Sequence, residues 1–214
     1  MAAWDPHLVI ERLMQESSTN MASAPIAYFY CVRNASEPER ADPDEILRSI
    51  LKQLCSAKSD VPVREPVSSR YKTLKEEADD DGSEEPPRLT VSECVELILG
   101  LLDANPATII IDALDECDPA RRHQLLLAFD EIIQNSGNVV KIFVSSRDDR
   151  DIACRLEQSP NIYIQASDNE QDIDRFVHTQ IDQSIREKRL LGGNVSEELR
   201  DTMIVALIKG AQGM

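Results

Sequence analysis

Two rhythms of apolar residues run through the chain. Short continuous runs at 26–32 (IAYFYCV), 108–111 (TIII), 139–145 (VVKIFVS) and 161–165 (NIYIQ) are rich in β-branched and aromatic residues and predict four strands. Their apolar residues are consecutive rather than alternate, which predicts strands covered on both faces, as in a parallel sheet. Elsewhere the apolar residues recur at helical spacing. Leu8, Val9, Leu13 and Met14 place a helix over 7–15. Ile46, Leu47, Ile50, Leu51 and Leu54 form one stripe, and Val91, Val95, Ile98, Leu99 and Leu102 another. Further helices are expected over about 120–134 and 151–158, through Ile173, Phe176, Val177, Ile181 and Ile185, and over 196–209.

Polar residues mark where these helices begin. Asp42-Pro43 with Glu45, Thr90 with Glu93, and Ser167 with Glu170 each read as a capping box, and Asp118-Pro119 as an N-cap with proline at the first helical position. Residues 56–88, broken by Pro62 and Pro66, read as an excursion with a short helical piece near 71–77. Within it the run EEADDDGSEE, 76–85, carries seven acidic residues and no base, the pattern of a solvated, disordered loop rather than a site. Strands alternating with helices imply right-handed crossovers, with helices on both faces of the sheet. Beyond about Ser167 the pattern is purely helical.

Composition narrows the function. With 214 residues and 42% hydrophobic content, the chain is long enough for one α/β domain with a helical appendage. A net charge of −16 and a pI near 4.6 set it against polyanions, so neither nucleic acid nor an anionic membrane is expected as a partner. The cysteines, Cys31, Cys55, Cys94, Cys117 and Cys154, have no CxxC or Cys/His spacing, which points to reduced thiols in a cytoplasmic protein and away from zinc. No apolar run approaches a membrane span, and the first residues lack an export signal. His7, His123 and His178 are far apart, and no serine has a GxSxG setting.

The candidate chemistry sits where the central run stops. After Thr108–Ile111 come Asp112, Asp115, Glu116 and Asp118. A carboxylate at the carboxyl end of a buried parallel strand lies where open α/β sheets bind ligands. Carboxylates crowded there repel one another unless a cation or protons relieve them, and a hard ion such as Mg²⁺ beside a phosphate would do so. Asp112 is the candidate metal ligand, and Asp115 and Glu116 are the candidates to orient or deprotonate a water. An acidic turn that only caps the next helix fits the same residues. Arg147, at the end of a second strand, is suited to a terminal phosphate through forked donation. It is equally placed for a surface salt bridge with Asp148, Asp149 or Asp151.

IIIDALDECD, 110–118 with its preceding isoleucine, resembles the Walker B segment of NACHT-type P-loop NTPases, in the form found in large fungal signalling proteins with nephrocystin-3-like N-terminal regions. YFYC (28–31) with DPDEILRSILKQL (42–54) is similar to the family's second strand and following helix. KIFVSSRDDRDI (141–152) resembles its sensor strand, and DNEQDIDRFV (168–177) the start of its helical lid. The resemblance implies a three-layer α/β fold with a parallel sheet of the P-loop NTPase type, spanning 1–166, followed by the start of a lid subdomain over 167–214. It implies that Asp112 coordinates Mg²⁺, that Asp115 and Glu116 position the attacking water, and that Arg147 senses the γ-phosphate of ATP or GTP. Family members are signal-transducing (STAND) switches, so other NACHT/STAND proteins or repeat-domain proteins are the implied partners.

One part is missing. The family's phosphate-binding loop, GxxxxGK followed by serine or threonine, does not occur in these residues, and the first glycine is Gly82. That loop's N–H groups and lysine supply most of the phosphate affinity. The expectation is a module with the first strand and P-loop missing, truncated at both ends, that hydrolyses nucleotide weakly or not at all. The strand absent with the loop is a central one, so either the strands on its two sides pair directly or a sheet edge stays open. Two other readings stay open: a non-enzymatic interaction or regulatory module, and an incomplete gene model.

Overall fold

The computed structural model describes residues 10–12, 15, 24–55, 63–83, 85–164, 168 and 170–211. The chain divides into two units, Pro6–Gln158 and Ser159–Met214. The first is an α/β unit. Its strands β1 (Ile26–Tyr30), β2 (Ala107–Asp112) and β3 (Val140–Val144) form one parallel sheet in the order β1-β2-β3. The register aligns Tyr28, Ile110 and Phe143 across the sheet, with Phe29, Ile111 and Val144 in the next row.

The rows alternate between two faces. One face carries Ala27, Phe29, Ile109, Ile111, Ile142 and Val144, and packs into the core. Helices α1 (Pro43–Cys55), α3 (Val91–Leu102) and α4 (Arg122–Asn135) cover it, through Ile46, Ile50, Leu54, Ile98, Leu102, Leu125 and Ile132. Placing helices of both crossovers on one side follows from right-handed connections between strands laid down in order. The helix expected over 7–15 is described only at residues 10–12 and 15. Of these, Ile10–Arg12 are helical and Ile10 is buried, while Leu8, Val9, Leu13 and Met14 lie outside the described residues.

Local signals were realised unevenly. The Thr90 capping box forms: the Thr90 hydroxyl accepts from the Glu93 N–H at 3.4 Å, and the Glu93 carboxylate accepts from the Thr90 N–H at 2.9 Å. Asp42 caps α1 by accepting the Asp44 N–H at 2.9 Å, but the box with Glu45 does not form. Glu45 turns instead to Arg48 and Arg88, and the Asp42 N–H donates to the Glu39 carbonyl. Asp118 caps the turn before α4, accepting the Ala120 N–H at 3.0 Å, and the helix begins only at Arg122.

The acidic run is not a loop. Helix α2 (Val67–Asp81) takes up residues 76–81, buries Leu74 and Ala78 one turn apart, and ends at Gly82 in the left-handed conformation (φ 71°). Glycine fits that position because it has no Cβ to clash. Arg70 ties α2 to α3 through Glu93 at 2.7 Å.

A short helix, α5 (Arg150–Arg155), follows β3 and buries Ile152. The second unit holds α6 (Glu170–Arg186) and α7 (Glu197–Ala211), which bury Val177, Ile181 and Ile204 between them. The strand expected at 161–165 does not form over its described part. Residues 161–164 have no regular structure, and Ile162 and Tyr163 are 91% and 77% exposed. β-Propensity describes fit to a pleated surface, and a run without a neighbouring strand has no such surface. Ser167 and Asn169 lie outside the described residues.

Candidate functional site

The carboxyl ends of β2 and β3 converge on one acidic loop. β2 ends at Asp112, and Ala113 follows in the left-handed region at φ 53°, costly for a residue with a Cβ. That conformation swings Leu114–Glu116 into a single 3₁₀ turn and buries Leu114 completely. The Ala113 N–H donates to the Ser145 hydroxyl oxygen at 2.9 Å, and the Ser145 hydroxyl donates to Asp112 Oδ1. The Leu114 N–H donates to the Ser145 carbonyl at 2.9 Å. Ser145, the first residue past β3, therefore joins the ends of the two strands.

The other predicted residues are brought to the same place, each with a partner. Asp115, whose side chain is only 12% exposed, accepts the Arg147 N–H at 3.1 Å and lies 3.7 Å from its guanidinium. The Arg147 side chain is 84% exposed and faces Asp115 rather than Asp148, Asp149 or Asp151. Glu116 accepts the Arg33 N–H at 3.3 Å, from the loop after β1. The Arg33 guanidinium donates to the carbonyls of Asp115 and Cys117, clamping the turn from outside.

Arg122 is the residue the sequence reading passed over. Its side chain is 2% exposed, and its guanidinium meets Asp151 at 2.6 and 3.0 Å, Asp149 at 2.8 Å and the Asp115 carbonyl at 3.0 Å. Burial alone would lower its pKa, but the two carboxylates outweigh burial and raise it, while Arg122 in turn holds Asp151 below the ordinary aspartate value. Arg121 beside it pairs with Asp42 at 2.8 Å and with Asp44, joining the starts of α4 and α1. There was a signal for this pair. Two arginines in the first turn of a helix sit against the positive end of its dipole, which calls for dedicated acidic partners.

Two thiols lie under the loop. Burial pushes Cys31 up to about 12 and Cys117 up to about 11, so both are neutral and neither is a nucleophile at ordinary pH.

The arrangement does not by itself fit Mg²⁺ with a nucleotide. Mg²⁺ needs a near-octahedral shell of oxygens. Among the described residues no group of three or more His, Cys, Asp or Glu converges for a metal, and Asp112 has one oxygen committed to Ser145. Two cations lie beside the carboxylates among the described residues: Arg147, 3.7 Å from Asp115, and Arg33, whose guanidinium is taken by the carbonyls of Asp115 and Cys117.

The family model for the N-terminal region of nephrocystin 3 matches residues 7–147, well over half of the chain. The chain belongs to the nephrocystin 3 N-terminal family. The family match spans all three strands, the acidic loop and Arg147, and stops before α5. No curated protein matches the chain, and no solved structure does. Within this nephrocystin 3 N-terminal chain no described helix is long and apolar enough to cross a membrane.

Proposed function

We propose that this chain is the acidic half of a NACHT-type nucleotide-binding module, and that these residues alone do not hydrolyse nucleotide. In this reading Asp112 corresponds to the cation-holding carboxylate, Asp115 and Glu116 to the water-positioning acids, and Arg147 to the phosphate-sensing arginine. The observation that carries it is the closed polar circuit around those four residues. Asp112 is bonded to Ser145, Asp115 to Arg147 and Glu116 to Arg33. Nothing in the circuit offers a terminal phosphate an array of free N–H donors, and a polyanion would meet carboxylates first.

Calorimetric titration with Mg²⁺–ATP and Mg²⁺–GTP tests the reading, together with a turnover assay. The expected result is no saturable heat and no turnover above background. Turnover comparable to that of an intact P-loop NTPase, abolished by Asp112→Ala, would overturn it.

A further inference from the structure

The loop after β1 carries an exposed hydroxyl between two arginines. Residues 32–40 leave the strand and return, closed at the neck by the Val32 N–H donating to the Arg40 carbonyl at 3.2 Å. At the tip, Asn34–Glu37 form a turn. The Glu37 N–H donates to the Asn34 carbonyl at 3.2 Å, and Asn34 Oδ1 accepts the Ser36 N–H at 2.9 Å. Ser36 is exposed, and among the described residues its hydroxyl has no hydrogen-bond partner. Arg33 precedes it by three residues and Arg40 follows it by four. The two arginines are held differently. Arg40 donates to the Glu37 carboxylate and to the Tyr30 carbonyl, both at 3.2 Å. Arg33 pairs with no carboxylate among the described residues; its Nη2 alone serves the carbonyls of Asp115 and Cys117. It is a cation held by neutral acceptors, whereas Arg121, Arg122 and Arg147 each meet an aspartate.

We propose that Ser36 is a phosphorylation site, and that its phosphate draws Arg33 off the acidic turn. Glu37 and Glu39 stand first and third after Ser36, the charge pattern read by acidophilic serine/threonine kinases. An exposed turn at a loop tip is open to a kinase cleft. In the transfer, Ser36 Oγ attacks the γ-phosphorus of the kinase's Mg²⁺–ATP. The new O–P bond forms, the bond from phosphorus to the β–γ bridging oxygen breaks, ADP leaves, and the hydroxyl proton passes to the kinase's catalytic aspartate. The product adds a charge of about −1.5 to −2 and three acceptor oxygens. Glu37 and Glu39 repel it, and Glu37 already occupies Arg40, so Arg33 is the cation open to it. Guanidinium and phosphate are both ionised and pair through two parallel bonds, which separate neutral carbonyls do not match. The tether of three residues makes the contact intramolecular, an advantage no free phosphate has. The turn Leu114–Glu116 then loses its outer clamp, and Asp115 and Glu116 loosen with it. The site is independent of whether nucleotide binds.

Treating the full chain with an acidophilic serine/threonine kinase and Mg²⁺–ATP, then mapping phosphate by tandem mass spectrometry, tests the site. The expected result is phosphate on Ser36, added about tenfold more slowly in Glu39→Gln, which changes only the kinase's recognition pattern. Hydrogen exchange tests the consequence. Phosphorylation should quicken exchange about tenfold at the Glu116 and Cys117 amides, which close the turn onto Ala113 and Leu114. Ser36→Ala should show no such change on treatment. Arg33→Gln should exchange fast at the turn before treatment, and phosphorylation should add nothing; circular dichroism checks that this exposed position tolerates the change. Phosphate absent from Ser36, exchange at the turn unmoved by phosphorylation, or a quickening as large in Arg33→Gln as in the parent would each overturn the proposal.

Discussion

Along β1 the outward groups of Tyr28 are gripped by one glutamine amide; along β3, among the described residues, no side chain hydrogen-bonds the outward groups of Val140, Ile142 and Val144. Both strands are five residues long, both are apolar, and both lie parallel to β2. Strand composition therefore does not set the difference. It comes from what the next helix projects. Gln53 stands in the last turn of α1 and reaches Tyr28 because α1 packs back on β1. No residue of α4 or α5 does this for β3. An edge is closed by a side chain contributed from elsewhere in the fold, and where none arrives the strand keeps its capacity to pair.

The largest effect should come from the lock at the carboxyl end of β3. Arg122→Met removes the guanidinium that joins α4 to Asp149 and Asp151, and leaves those carboxylates and the Asp115 carbonyl without it. The expected loss is about 3 kcal/mol, kept from being larger by the half-exposure of both aspartates. A urea midpoint measured against the parent checks it. If β3 loses its fixed end, hydrogen exchange at the β3 amides should quicken in parallel, which separates a local release from a general loss of stability.

The next effect is on the covered margin. Gln53→Leu leaves both the N–H and the carbonyl of Tyr28 without their partner and should cost about 1–2 kcal/mol. Hydrogen exchange should then quicken at the Tyr28 amide while the β2 amides keep their protection. Unchanged exchange at Tyr28 would mean that the amide clasp contributes nothing to closing that side.

The smallest effect is a control away from both margins. Hydrogen bonds from the Thr90 N–H, Arg70 and the Thr90 hydroxyl hold Glu93 down from 4.5 to about 2. A carboxyl depressed on folding contributes stability above its unfolded value, and that stability is lost as pH falls from about 4.5 through about 2. Glu93→Gln should flatten this part of the stability–pH curve and lower stability at neutral pH by about 1 kcal/mol, without altering exchange at the Tyr28 amide.

How much of this was legible depended on distance along the chain. The β2 strand was readable because Ile109, Ile110 and Ile111 are consecutive and stop at Asp112, and the Thr90 box because both partners lie within one turn. Only the 71–77 part of helix α2 was legible, because the helix buries just Leu74 and Ala78 under a strongly acidic surface. Residues 161–164 misled because propensity was present and a pairing partner was not. The meeting of Asp112, Asp115, Glu116 and Arg147 could be anticipated, since parallel strands deliver their carboxyl ends to one side. Their partners could not. Arg33 lies more than eighty residues before the turn it clamps, and Arg122 gathers Asp149 and Asp151 across the whole of β3.

Gln53 also makes β1 answerable to a helix end. The amide that grips Tyr28 stands in the last turn of α1, so fraying of that turn releases the strand's outward groups at the same moment. A side chain remote from the acidic loop thereby ties the integrity of a helix terminus to that of the sheet beside it.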